Sequence, residues 1–517
     1  IAFIGLFTIA NATEEFKKLK EVISNADQGN WTKVDNIRLN LIRPEARDLA
    51  DWLWLRGEQG SFEECIEFLK KNSDWPGLKL LRKRCEQNIR RGETPQKVIN
   101  YFAEQKPQTG TGSLRYGEAL INSERGFEAA KEIQRTWKSF DLTENEHKAY
   151  ISRNSLTVEG FNSVRLDSML WQGFTNSASR MLPLVNKDMR VLARAKIALR
   201  ENKPRVNALI NLIPSTVKDD PGLAYERFLW RLRNGYWDSA IEILIDRSRS
   251  KERLGTPQAW ADWRRVLARE MVRSGRFDTG YDLATSHHLK KGHDYADLEW
   301  LAGFVALKKL TQPKKALIHF KRFSSNVFTP VSLGRAGYWL GLTYKELGDF
   351  ENSQKHLKES SKYLSSFYGQ LSVGFLQNPD LIDMTGKEPF TDWQNGRFSN
   401  SSVLKAAIQA SGAGSRYLTE RLLVHLSEKS TKNEFSELAN FANELGETHV
   451  SLMITKQAAR EGFQIFRTYY PIELPTGVKF SDNFRKILPL SVIRRESEFN
   501  PEVISPVGAR GLMQLMP

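Results

Sequence analysis

The sequence predicts an all-α protein, most of it a solenoid of helical hairpins, followed by a second helical region and a compositionally distinct C-terminal segment. Three observations carry this. From Thr13 to about Tyr368 the apolar residues recur at helical spacing, with few alternating β-branched runs. A glycine followed within two residues by an aromatic punctuates that stretch, at Gly60/Phe62, Gly126/Phe127, Gly173/Phe174, Gly235/Trp237, Gly275/Phe277 and Gly348/Phe350. Beyond Gly477 the pattern gives way to closely spaced short motifs.

Residues 1–12 form an apolar run ending in Ala10-Asn11-Ala12, and charge begins abruptly at Glu14, Glu15, Lys17 and Lys18. An apolar stretch closed by small residues two apart reads as the remnant of a secretory signal peptide. No cysteine follows Ala12 to take a lipid anchor, and no later apolar stretch approaches the length of a bilayer span. The expectation is an exported, soluble protein with no stable membrane insertion.

Residues 13–370 are read as the hairpin array. A glycine ends one helix in the left-handed conformation, and the aromatic after it is expected to pack the next helix back on the first. The clearest copy, Tyr338-Trp339-Leu340-Gly341-Leu342-Thr343-Tyr344 followed by Gly348-Asp349-Phe350, is close to the tetratricopeptide pattern. Spacing between copies is irregular, so the solenoid is degenerate, and its concave face would suit a long thin ligand or a protein partner. Residues 371–475 are read as a helical linker domain. It opens with a stretch rich in Asn, Asp, Gly, Pro and Thr up to Asn400, and helical periodicity resumes from Ser402 to about Arg467. Tyr470-Pro471 and Pro475-Thr476-Gly477 mark the boundary with a last domain, 476–517.

Two cysteines exclude a disulfide-scaffold protein. Export permits a bridge between them. Cys65 and Cys85 each lie about nine or ten residues from Asp74-Trp75-Pro76, so at roughly 1.5 Å rise per residue two antiparallel helices would bring them level. Two unrelated buried thiols fit the same spacing. The net charge of +15 is compatible with an acidic polymer, but the basic residues are interspersed with 61 acidic ones, as on any solvated helical surface. Export argues against nucleic acid. Thr109-Gly110-Thr111-Gly112 lacks the third glycine and the preceding strand of a dinucleotide site and reads as a turn. His287, His288 and His293 lack the i,i+4 spacing of a helical metal pair, so no metal is assigned. Trp230, Trp237, Trp300 and Trp339 read as hairpin core.

The C-terminal segment is where chemistry is concentrated. Pro489 suits a first helical turn, and the helix should end near Asn500-Pro501. Val492, Glu496 and Phe499 then fall at i, i+4 and i+7, which puts Glu496 on the apolar stripe and Glu498 on the solvent side. A carboxyl on a buried face is held protonated by desolvation, as a general acid for a glycosidic oxygen requires. A structural glutamate paired with Arg494 or Arg495 fits the helix equally well.

Glu496-Ser497, Asn500-Pro501, then Ser505-Pro506-Val507-Gly508-Ala509 and Gly511-Leu512-Met513-Gln514 resemble the opening of the lysozyme-like domain of the soluble lytic murein transglycosylases. Upstream, Glu299-Trp300-Leu301-Ala302-Gly303, Arg335 to Trp339, and Phe367-Tyr368-Gly369-Gln370 resemble that family's superhelical domain. The resemblance implies a U-shaped superhelix before a lysozyme-like catalytic domain, a monomer working in the periplasm, and peptidoglycan glycan strands as substrate. Other cell-wall enzymes are its further expected partners. It implies Glu496 as the catalytic acid/base, with Ser497, Ser505, Met513, Gln514 and Met516 lining the glycan groove or supporting the glutamate, and no cofactor. The family's catalytic domain continues well past Gly-Leu-Met-Gln, so residues 13–517 alone are expected to be inactive. The rival expectations are a hydrolytic muramidase and a scaffold for wall enzymes.

Overall fold

The computed structural model describes residues 2–376, 384, 386–387, 392–428, 430–472 and 487–517, with side chains from Thr13 onward, Asn395 excepted. Helix follows helix from Ala2–Asp27 to Phe367–Val373 and again from Ser402–Gly412 to Phe466–Tyr469. Among the described residues there is no strand, only the isolated bridges Ile504–Arg510 and Arg510–Leu515. None of their helices is long and apolar enough to cross a membrane. The side chains of the expected signal remnant, 1–12, lie outside the described residues. So does the expected boundary near Pro475.

Helix starts and stops are set locally. Prolines open Pro44–Arg56, Pro221–Arg233, Pro257–Arg273, Pro313–Ser324 and Pro330–Glu346, where a missing N–H costs nothing. Reciprocal capping boxes open three more, Ser61 with Glu64, Thr143 with Glu146 and Thr431 with Glu434. Of the hairpin glycines, Gly60, Gly173, Gly235, Gly275 and Gly348 are left-handed, with φ between 78° and 83°. Gly126 is not. There Glu124 takes the left-handed turn (φ 60°), and Gly126 already begins the Gly126–Ser139 helix.

The aromatics after these glycines do not all pack as expected. Phe62 is buried, but Phe127 and Phe350 are 73% and 65% exposed. Each sits in the first turn of its helix on the outward side, and the Lys131 ammonium covers the Phe127 ring at 4.2 Å. The hairpin interiors are filled from later positions, among them Trp137, Phe228, Trp260 and Phe320. Thr109–Gly112 is also no turn: Thr109 caps the Gly110–Asn122 helix, its hydroxyl accepting from Gly112 N–H at 2.9 Å. Two carboxylates fill the space a phosphate would need. Glu86 accepts from the N–H groups of Gln108 and Thr109, and Glu146 from that of Thr111. A Cβ on Gly110 or Gly112 would collide with them, which explains the glycines.

The three upstream motifs meet at one node. The Arg335 guanidinium lies 3.4 Å from the centroid of Trp300 and 5.9 Å from that of Tyr368, while Trp339 packs edge-on against Trp300 and Phe304 and stacks on Phe320. Beneath them Glu299, buried, receives His319 Nδ1 at 2.6 Å and His287 Nε2 at 3.4 Å. His288 turns away to the Ser248 carbonyl and His293 is exposed, so the histidines serve a carboxylate. Burial alone would push Glu299 up, but these two donors outweigh it and hold it at about 2. A depressed folded value stabilises the fold above the ordinary carboxyl range and loses that contribution as pH falls toward 2. Glu299→Gln should therefore lower the thermal midpoint at neutral pH, with the gap to wild type closing below about pH 4. A gap independent of pH would show that the charge is immaterial.

The array does not end free. Residues 402–465 share one apolar core with residues 19–129, in which Leu49, Trp52 and Trp75 pack with Ala407, Leu422 and Phe435. Trp75 Nε1 donates to Ser402 Oγ at 3.0 Å, His425 Nε2 to the Asp74 carbonyl at 2.8 Å, and Arg421 lies over Trp52 at 5.2 Å. At the other end of the array, Gln464 donates to the Lys362 carbonyl and the Thr448–Arg460 helix touches Pro330–Glu346. The region read as a linker thus joins both ends of the array and closes it into a ring.

Cys65 and Cys85, on the antiparallel Phe62–Lys71 and Leu78–Cys85 helices, are joined as a disulfide with Cα atoms 6.1 Å apart. The bridge closes a loop with a sequence separation of 20, for which chain entropy gives about 3 kcal/mol. Reductant should lower the unfolding midpoint of the ring joint. Equal melting with and without reductant would contradict a stabilising bridge.

Candidate active site

Among the described residues the C-terminal segment opens with the Ile487–Glu496 helix. Its apolar contact with the ring is small among the described residues: Ile493 and Phe499 pack with Leu452 of the Thr448–Arg460 helix, flanked by Leu490, Met453 and Leu512. Ser497, buried, returns its hydroxyl to the Ile493 carbonyl at 3.1 Å.

Glu496 does not lie on the buried stripe. It is exposed, and the inward positions are Ile493 and Ser497. The expectation failed because the helix stops at Glu496, short of Asn500. Phe499 reaches the core through two left-handed residues, Glu498 (φ 53°) and itself (φ 66°), so counting i+7 from Val492 carries no information about the face. Arg494 does not serve Glu496 either. It stacks over Tyr469 and Tyr470 at 4.5 and 5.1 Å.

Glu498, expected in solvent, is half-buried and ion-paired with Lys456. Its carbonyl accepts from His449 Nδ1 at 2.8 Å, while His449 Nε2 faces Glu420 at 3.4 Å. Burial works against a charge on His449, but the Glu420 and Glu498 partners outweigh it and raise the imidazole above its ordinary value. Glu502 pairs with Arg416 at 3.1 Å. Of the three carboxylates between 496 and 502, Glu496 alone has no ion pair among the described residues.

Past Pro501 the chain folds into a compact loop. Ser505 N–H donates to the Ala509 carbonyl at 2.8 Å, and Ala509 N–H to Ser505 Oγ at 2.9 Å, around Gly508 at φ 95°. Gln514 Nε2 donates to the Val503 and Gly511 carbonyls at 3.0 and 2.9 Å. Ser505 and Gln514 therefore build the loop, with Met513 and Met516 exposed on it at 40% and 63%. Leu512 ties the loop to the cluster under the Glu496 helix. His449, Lys456 and Arg416 were not legible beforehand. They lie about forty residues or more upstream, His449 and Lys456 on the Thr448–Arg460 helix and Arg416 on Arg416–Leu426, with no local motif to mark them.

The helical ring thus carries a C-terminal segment in which a short helix ends at an exposed carboxylate and leads into a compact loop. Residues 482–517 match the Transglycosylase SLT domain family. The fold of nearly the whole chain is that of the soluble lytic transglycosylases. The chain is similar to the 70 kDa soluble lytic transglycosylase from Escherichia coli, with a TM-score of 0.58 at 16% identity over 98% of this chain and 80% of that one. It is also similar to an inactive Glu-to-Gln mutant of the lytic transglycosylase Slt from Pseudomonas aeruginosa, with a TM-score of 0.58 at 16% identity over 97% and 80%. No curated protein matches the chain.

Proposed function

We propose that this protein is a peptidoglycan lytic transglycosylase, cleaving the β-1,4 bond between N-acetylmuramic acid and N-acetylglucosamine without water. The observation that carries the reading is Glu496 itself: it lies within the segment that matches the transglycosylase family, is exposed and, unlike Glu498 and Glu502, has no ion pair among the described residues. One such carboxyl suffices for the chemistry. A glycan strand laid over it removes water, which favours the neutral, proton-donating form of a carboxyl. Glu496 protonates the departing O4, and the substrate's N-acetyl group supports the cationic C1 as the C1–O4 bond breaks. The carboxylate then takes the proton of the muramic acid C6 hydroxyl as O6 bonds to C1, closing a 1,6-anhydro ring and restoring the acid. The steps call for neither metal nor cofactor.

Ser497, Ser505 and Gln514 hold the backbone on which the groove is built, and Met513 and Met516 offer apolar contact to the sugars. The remaining parts of the reading are export through the 1–12 segment, action in the periplasm in wall turnover, and a division into ring array, returning helices and catalytic domain at the boundaries given above. Digestion of purified peptidoglycan by the full-length protein tests the reaction. The expected muropeptides are one water lighter than reducing-end products. Reducing ends would make the protein a muramidase, and no cleavage at all would leave the scaffold reading.

A further inference from the structure

The two residues at positions 498 and 499, just beyond Glu496, have backbones that L-residues avoid. Left-handed conformation is costly for a non-glycine residue and a genuine outlier for a bulky side chain such as Phe499. Two in succession persist only where the surroundings over-determine them. Here the ring's direct contacts to the two residues, among the described ones, come from one helix. From Thr448–Arg460, His449 Nδ1 donates to the Glu498 carbonyl at 2.8 Å, Lys456 pairs with the Glu498 carboxylate, and fully buried Leu452 closes on Ile493 and Phe499. The neighbouring Arg416–Leu426 helix backs this arrangement. Glu420 faces the other nitrogen of His449, and Arg416 reaches past Glu447 to Glu502.

We infer that His449, Leu452 and Lys456 are positioning residues that clamp the left-handed turn after Glu496 and so set where its carboxyl meets the glycosidic oxygen. The inference rests on the assignment of Glu496 as the acid/base. The helix Ile487–Glu496 is only ten residues long and has a thin apolar contact beneath it, so its own packing does not settle the orientation of its last residue. The clamp fixes the chain two and three residues later, at the point where the helix has already ended. Because the same Thr448–Arg460 helix touches the far end of the array at Pro330–Glu346, the turn is referenced to the closed ring.

A group that positions an acid shows itself in turnover, since a displacement of about 1 Å costs on the order of 10²-fold in rate. The test is a charge swap in the full-length protein, reading kcat, KM and the melting midpoint on peptidoglycan-digesting enzyme. Lys456→Glu and Glu498→Lys should each lower kcat about tenfold or more with KM little changed. Combining them should restore most of the loss, because the pair is re-formed with its ends exchanged. Should Lys456→Glu fail to fold, Lys456→Met, which keeps the length and apolar stem, gives the same reading. Unchanged kcat in the single variants, a loss carried by KM alone, or no recovery in the swap would overturn the clamp while Glu496→Gln remained inactive. Activity surviving in Glu496→Gln would instead remove the assignment on which the clamp rests.

Discussion

Glu496→Gln should abolish release of anhydromuropeptides from peptidoglycan, with a rate loss at or above about 10⁴-fold. Gln keeps the size of Glu and its capacity to accept a hydrogen bond, but it can neither deliver a proton to O4 nor remove one from the C6 hydroxyl. General acid/base help is worth typically about 10²–10⁴-fold, and here one carboxyl serves both steps. The side chain is exposed and has no ion pair among the described residues, so the substitution breaks none of their ion pairs and leaves no buried group unsatisfied. Folding should be unchanged, which separates a chemical loss from a structural one. Glu498→Gln provides the contrast: its amide oxygen can still accept from Lys456, so the contact that holds the turn is weakened and not removed or reversed, and it should cost only a few-fold. Retention of more than about a tenth of the wild-type rate by Glu496→Gln would show that the acid lies elsewhere.

Trp75→Ala should be the most destabilising single change at the ring joint. Trp75 is 1% exposed, packs against Trp52 and Phe68 with ring centroids 6.3 and 5.5 Å away, and donates its indole N–H to Ser402. Truncation removes the ring volume, leaves Ser402 without its donor and opens a void between the first helices and the returning ones. Losses of about 3–5 kcal/mol follow such substitutions. Hydrogen exchange should rise first in the Ser402–Gly412 helix, which depends on this joint, and later in Pro257–Arg273, which lies in a separate core. Uniform acceleration, or none, would mean that ring closure is not held here.

What was legible in the sequence was local. A glycine at a helix end needs only its own backbone to turn left-handed, so Gly60, Gly173, Gly235, Gly275 and Gly348 could be placed from spacing alone. Capping boxes and first-turn prolines are legible for the same reason. Ring closure was not, because Trp75 meets Ser402 across 327 residues and nothing in either neighbourhood encodes the other. The candidate acid was identifiable from its motif, yet its face was misread. Helical counting assumes that the helix continues, and this one ends at Glu496 and hands Phe499 to the core through left-handed residues. The partner of Glu498 was hidden likewise, since Lys456 looks like any surface lysine until the two helices are docked.

The most direct test of the central claim is digestion of peptidoglycan in heavy-oxygen water by the full-length wild-type protein and by Glu496→Gln side by side. If Glu496 drives intramolecular attack by the C6 hydroxyl, the wild type should release products carrying no solvent oxygen and the variant should release none. Solvent oxygen in the new sugar end, or comparable cleavage by the variant, would contradict the account.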